Sequence, residues 1–293
     1  MTTRCPMKNK TRVSKVLPGV FLLFFVAVGC GNLQSGKAAA PGRSPDPTAE
    51  TVHLTYTVVD VAPDDILNVR ARPDVNAAVV GHIPFYGVDI HIRETTRKAK
   101  TSAWMPIRYK DLNGWVNRRY LARQVGAMDE AVSARAGEIM WALKQKDMAR
   151  LSRLVHPEKG VRFSPYTYVR DEDLVFQADD IKDLMSNPSV YRWGRFDGSG
   201  LPITKTFGDY FKRFVYDADF IRPQAVGADT VIGRGNTINN IPEFYPEAIF
   251  IEYHFEGMDP KLGGMDWRSL RLVLETHQRN WYLVGIVHDE WTI

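Results

Sequence analysis

The residues best suited to chemistry lie in the last third of the chain. Alternation over 281–291 puts Tyr282, Val284, Ile286, His288 and Glu290 on one face of a strand and Trp281, Leu283, Gly285, Val287, Asp289 and Trp291 on the other. An earlier strand sets Glu252 with His254, and Arg271 projects from a neighbouring strand. Carboxylate, imidazole and guanidinium groups hold anions, pair with hydroxyls or move protons. Glu252, His254, Arg271, His288 and Glu290 are therefore the candidates for a polar pocket if the sheet curves around them. Salt bridges or a solvated sheet face are the competing assignment.

The familiar catalytic signatures are missing. His156, His254 and His288 lie far apart with no HExxH spacing, so neither a metal nor a cofactor is expected. There is no GxSxG for a serine hydrolase. The glycine-rich stretches 193–200 and 233–240 lack the context of a phosphate loop and read as turns or loops. The acidic and glycine residues over 256–266 lack EF-hand spacing. Paired carboxylates of a glycosidase are not revealed by separation in sequence, which keeps a small-molecule or glycan-acting enzyme open as the alternative.

Cys30 is the one cysteine set in a reactive context. Arg4, Lys8, Lys10, Arg12 and Lys15 precede an apolar run from Val16 to Val28, too short for the roughly 20 residues of a comfortable membrane span. The run closes on Ala27, Val28, Gly29 and Cys30, which resembles the lipobox of bacterial lipoproteins, with Ala27 where leucine is typical. The resemblance implies a signal peptide over 1–29, a diacylglycerol-cysteine at Cys30 and an amino terminus acylated with palmitate or a similar chain. It places the protein on the extracytoplasmic face of the cell membrane, or at the outer membrane of a two-membrane host. A plain membrane anchor or an ordinary secretory signal is the alternative. Cys5 would leave with the leader, so neither a disulfide framework nor a thiol peptidase is available.

The leader also explains the apparent basicity. Its five Lys/Arg account for more than the excess of 38 basic over 34 acidic residues, and nucleic acid is not an expected partner. Residues 30–50, rich in Gly, Ala, Ser and Pro without apolar period, read as a flexible tether.

From 51 to 124 the pattern is short β runs separated by turn residues, as in a small barrel or sandwich. The order Leu67-Asn68-Val69-Arg70, Pro73, Val79-Val80-Gly81, Gly87, Trp104, Tyr109, Gly114-Trp115-Val116-Asn117 and Tyr120-Leu121 resembles the bacterial SH3 (SH3b) family over about seventy residues. The resemblance implies a barrel with an aromatic groove for cell-wall peptide. Tyr56, Tyr86, Trp104, Tyr109 and Tyr120 are the rings that could line it; Tyr86 and Tyr120 are the groove candidates, and Trp104 and Trp115 read as core.

Residues 128–293 read as an α+β domain, helices first and then an antiparallel sheet. Val132, Ala136, Ile139, Met140 and Leu143 define one face of a helix. Asp147 is placed to cap a second, a third falls near 180–185, and a fourth starts at Thr206 with Phe207, Tyr210, Phe211 and Phe214 inside. Strands over 248–255, 269–276 and 281–291 close the chain, the last two as a hairpin. The helix pair ending at Leu154-Val155-His156-Pro157 and the final strand resemble the cone-shaped NTF2-like fold. The strings 156–165 and 266–271 are similar to uncharacterised domains of exported bacterial proteins, which carry no assigned activity.

The whole is a multidomain protein, an SH3-like barrel followed by an α+β domain. Its expected role is that of a membrane-anchored, non-catalytic envelope binder with peptidoglycan or another wall polymer as partner.

Overall fold

In the computed structural model residues 54–93, 103–257 and 259–292 are described; the leader, the tether and Cys30 lie outside them. Seven short strands come first: β1 (Thr55–Val58), β2 (Ile66–Arg70), β3 (Val79–Pro84), β4 (Ile90–Ile92), β5 (Trp104–Tyr109), β6 (Leu112–Asn117) and β7 (Leu121–Val125). Their inward positions build a separate apolar core that includes Leu67, Val69, Ile83, Ile90, Ile107 and Val116. The ladders run in the order β3-β2-β6-β5-β4-β1-β7, and none among the described residues closes the run into a barrel. The free edge of β7 pairs instead, in parallel, with β12 (Ala225–Ala228), Ala225 lying opposite Arg123.

The helices form where the apolar period calls for them. Asp129 accepts from the backbone of Ala131 and Val132 and starts α1 (Glu130–Gln145), whose face of Val132, Ala136, Ile139, Met140 and Leu143 is buried. Asp147 caps α2 (Met148–Ser152) through Arg150 N at 2.8 Å. Gly137, in mid-helix, lets Phe85 approach, since a Cβ there would sit 3.2 Å from that ring. The first seven strands therefore lean directly on α1, and residues 51–293 make one compact unit.

Between α2 and the closing strands come β8 (Val161–Ser164), β9 (Val175–Phe176) and α3 (Ala178–Ile181). A hairpin of β10 (Val190–Arg195) and β11 (Pro202–Thr206) follows, then α4 (Phe207–Phe214). The 193–200 stretch, expected as a plain loop, is the tip and one arm of this hairpin. Thr206 caps α4, which buries Phe207, Tyr210, Phe211 and Phe214. Trp193 stacks on Tyr210 with ring centroids 3.9 Å apart.

After β12 and the short α5 (Ile241–Phe244), the strands β13 (Ile249–Phe255), β14 (Arg268–His277) and β15 (Asn280–Glu290) form an antiparallel meander. Leu270, Leu272, Leu274 and Ile286 face the helices, and Val273, Val284 and Val287 make a smaller core on the far side. A register shift places Leu274 opposite Leu283 and Val273 opposite Gly285. One residue is thereby inserted in β15, and the face of every residue after it is reset. The fold is mostly β, with one large mixed sheet of thirteen strands and few helices. Among the described residues no helix is long and apolar enough to cross a membrane.

Candidate functional site

Asn117 starts a single helical turn at Arg118–Tyr120 by accepting from Arg119 N at 3.1 Å, which sets Tyr120 at the surface. With Trp104 of β5 and Trp141 of α1, Tyr120 lines a cavity of about 720 Å³ whose other wall carries Ile66, Pro73 and Val75. Arg119 lies over the Tyr120 ring, 4.9 Å from its centroid. The groove thus takes two aromatics from the first seven strands and the third from the helix that follows them.

At one end of the groove sits Asp60, with a left-handed backbone (φ 54°). Its carboxylate accepts from Arg222 Nε at 2.6 Å and Lys144 Nζ at 2.9 Å, and from Arg119 at 3.2 Å. Burial raises the Asp60 pKa, but the three cations outweigh burial and hold the group below the usual carboxylate range. One acid therefore ties a strand loop, α1 and the segment after α4 together at the groove.

Of the two tyrosines expected to line a groove, Tyr120 does. Tyr86 sits elsewhere, edge-on to Phe85 at 5.1 Å. Trp104 and Trp115, expected in the core, are both half-buried. Trp141 lies off the apolar stripe of α1, so helical periodicity gives it no role; a tryptophan outside that stripe was the available signal.

The polar residues of the closing strands do not converge on one pocket. Glu252 lies opposite Arg271, and Arg271 opposite Val287, which puts this pair on the side of the smaller core. His288 lies opposite Leu270, on the helix side. Sheet geometry places directly opposed residues on one face, so the five candidates divide into two clusters on opposite faces of the sheet.

In the first cluster every charge is met. Glu252 accepts from Arg271 Nε (2.8 Å), Ser269 Oγ (2.6 Å), Gly233 N (2.8 Å) and Ile232 N (3.1 Å). Arg271 also donates to Asp289 (2.8 Å), Thr167 Oγ1 (2.6 Å) and the Gly233 carbonyl (3.1 Å). His254 Nδ1 is 2.9 Å from Ser269 Oγ, and burial pushes the His254 ring below its ordinary range. Only glycine fits at 233, because a Cβ there would come within 2.6 Å of Ser269 Oγ and 2.7 Å of the Trp267 ring. This network clamps the 231–235 loop to the sheet, with every nitrogen of the Arg271 guanidinium and both oxygens of Glu252 engaged. It is a device of the fold rather than a binding surface.

The second cluster joins His288 and Glu290 to Asp217, Arg213 and Arg268. His288 Nε2 lies 3.2 Å from Asp217 Oδ2 and Nδ1 lies 3.3 Å from the Pro165 carbonyl. Arg268 Nε bridges Asp217 (3.0 Å) and Glu290 (3.3 Å), and Arg213 pairs with Glu290. Asp217, His288 and Glu290 bring potential ligand atoms within 4.8 Å of one another. The two guanidiniums already supply positive charge to both carboxylates, so an entering cation would meet like charge. Burial raises the Asp217 pKa, but His288, Arg268 and Arg213 outweigh it and hold the group below its ordinary value. His156 lies apart, ring against His277 at 5.1 Å.

No family model matches this chain, and no curated protein does. Two solved structures are similar to this chain at 13% identity and a TM-score of 0.25. One is a calcium/calmodulin dependent protein kinase II association domain from Xanthomonas campestris, with 56% of this chain and 89% of that one covered. The other is a chain labelled as an NTF2 variant, with 55% and 99% covered.

Proposed function

We propose that this protein is a membrane-anchored, extracytoplasmic lipoprotein that binds a cell-envelope polymer through the Trp104–Tyr120–Trp141 groove. The groove is the observation that carries the reading. Three large aromatics at one concave surface bury much area with little loss of rotamer freedom, and acidic and basic groups at the rim (Asp65, Asp74, Arg70, Arg119) suit a zwitterionic peptide. In this reading the first seven strands are an SH3b-type module and the rest is an α+β, NTF2-like cone stapled to it. Cys30 carries the lipid, with its leader over 1–29 removed and 30–50 serving as the leash. In this reading the module acts by binding and not by catalysis.

The test is co-sedimentation of the protein with purified peptidoglycan. Tyr120→Ala and Trp141→Ala should each release it to the supernatant, while Tyr86→Ala should not. Retention of both groove variants on the polymer removes the groove from the function. The anchor is tested separately, by mass analysis of the mature amino terminus for a thioether-linked diacylglycerol on Cys30.

A further inference from the structure

A second cavity, of about 550 Å³, opens between the segment 165–173 and the β10–β11 hairpin, well away in sequence from the aromatic groove. Tyr166, Tyr168 and Phe196 give it ring faces, and its polar lining holds basic and acidic side chains in equal number: Arg170, Arg192 and Arg195 against Glu172, Asp173 and Asp197.

Several of these groups are committed to the wall. Arg195 donates to the Gly200 carbonyl at 2.8 Å, and Arg170 lies 5.4 Å from the Tyr168 ring centroid. Asp197 accepts from Gly198 N and from Thr237. Others are uncommitted: Arg192 and Glu172 make no side-chain hydrogen bond or ion pair among the described residues. Asp173 is 5% exposed and is held through one oxygen by Ser164 Oγ (2.6 Å) and Arg170 N (3.0 Å). Tyr210, 0% exposed, has a hydroxyl with no hydrogen-bond partner among the described residues; burial raises its pKa, and Asp173 and Tyr166 add to the rise.

This chemistry disfavours a ligand that carries charge of one sign only or that is wholly apolar. An anion would meet three carboxylates and a cation three guanidiniums. A purely apolar ligand would make no use of Arg192 and Glu172, whose side chains are free to donate and to accept. A sugar ring satisfies all three constraints, because its C–H faces pack on tyrosine and phenylalanine and each hydroxyl both donates and accepts. The volume lies within the range of small-ligand sites, roughly 300–1,000 Å³. We propose that this cavity is a binding site for a neutral oligosaccharide, with Tyr166, Tyr168 and Phe196 as stacking platforms and Arg192, Glu172 and Asp173 as hydroxyl partners.

The experiment is calorimetric titration of the full-length protein with triacetylchitotriose, cellotriose and maltotriose, and with trigalacturonate as an acidic comparator. Saturable binding of at least one neutral trisaccharide is expected. Arg192→Ala, Glu172→Gln and Tyr168→Ala, all at exposed positions, should each weaken it about tenfold. Tyr86→Ala, which lies outside both cavities, should leave it unchanged, and the three cavity variants should still co-sediment with peptidoglycan, so this inference and the envelope-binding proposal fail independently. Absence of binding by all three neutral sugars up to about 10 mM overturns the proposal. So does tighter binding of trigalacturonate than of any neutral sugar, or full affinity in the three cavity variants.

Discussion

Arg271 Nε lies 2.8 Å from Glu252 Oε2 across neighbouring strands, and neither side chain reaches solvent. Taking both charges out of water is repaid only because Asp289, Ser269, Thr167 and the Gly233 backbone complete the network. Arg271→Met should therefore destabilise the fold by about 3–5 kcal/mol, since it leaves two buried carboxylates without a counter-charge. Adding Glu252→Gln to Arg271→Met should recover part of that loss. Urea unfolding of both single variants and the double variant measures the coupling, and strict additivity would show that the pair acts independently.

Asp60 is the corresponding joint between the first seven strands and the helices. Asn tolerates the left-handed backbone at that position, so Asp60→Asn isolates the charge. Loss of an acid that accepts from Lys144, Arg222 and Arg119 should cost about 2–3 kcal/mol at neutral pH. Because the folded-state pKa is depressed, this stabilisation is present above the ordinary carboxylate value, about 3.9, and is lost as the pH falls through the lowered one. The stability gap between parent and Asp60→Asn should close on acidification; a gap that persists at low pH would assign the effect to packing.

Asp173 should show the opposite sign. Burial raises its pKa, and hydrogen bonds from Ser164 and Arg170 N offset that only in part. An acid whose folded pKa is raised contributes stability below its unfolded value and loses it as the pH rises through the folded value. Asn at this position accepts the same two hydrogen bonds without ionising. Asp173→Asn should therefore unfold at higher urea than the parent at neutral pH, with the advantage disappearing toward about pH 3.5. An Asp173→Asn protein less stable than the parent at neutral pH would mean that the attraction of Arg162 and Arg170 outweighs the cost of burying the carboxylate.

The elements of this fold were legible in the sequence where they carried a strong period or cap. Asp147 and Thr206 begin helices, and the stripes of α1 and α4 are buried as their spacing requires. The partition of polar residues between faces was not legible. Alternation alone kept Val284 with Ile286 and His288, but the extra residue near Gly285 moves Val284 to the face of Val273 and Val287. A bulge leaves no mark on composition, and register against β14 decides which side Arg271 takes. Also hidden were the β7–β12 parallel ladder, which spans about a hundred residues of sequence, and Asp217, whose loop position gives no hint that it meets His288.

The β14–β15 hairpin turns through two residues, Gln278 (φ 48°) and Arg279 (φ 69°), flanked by the pair His277 and Asn280. Positive φ at both central positions is the turn whose twist matches the strands, and asparagine followed by glycine suits it better than two long side chains. The present residues carry a left-handed strain on the order of 1 kcal/mol each. Gln278→Asn with Arg279→Gly should raise stability by about 1 kcal/mol after the greater entropy of glycine in the unfolded chain is subtracted. Lys146→Gly, at the left-handed end of α1 (φ 54°), should stabilise for the same reason. Arg135→Gly inside that helix should instead destabilise by about 1 kcal/mol. Thermal unfolding of the three variants separates the effects, and a loss of stability in the turn variant would mean that Gln278 or Arg279 makes a tertiary contact outweighing its backbone strain.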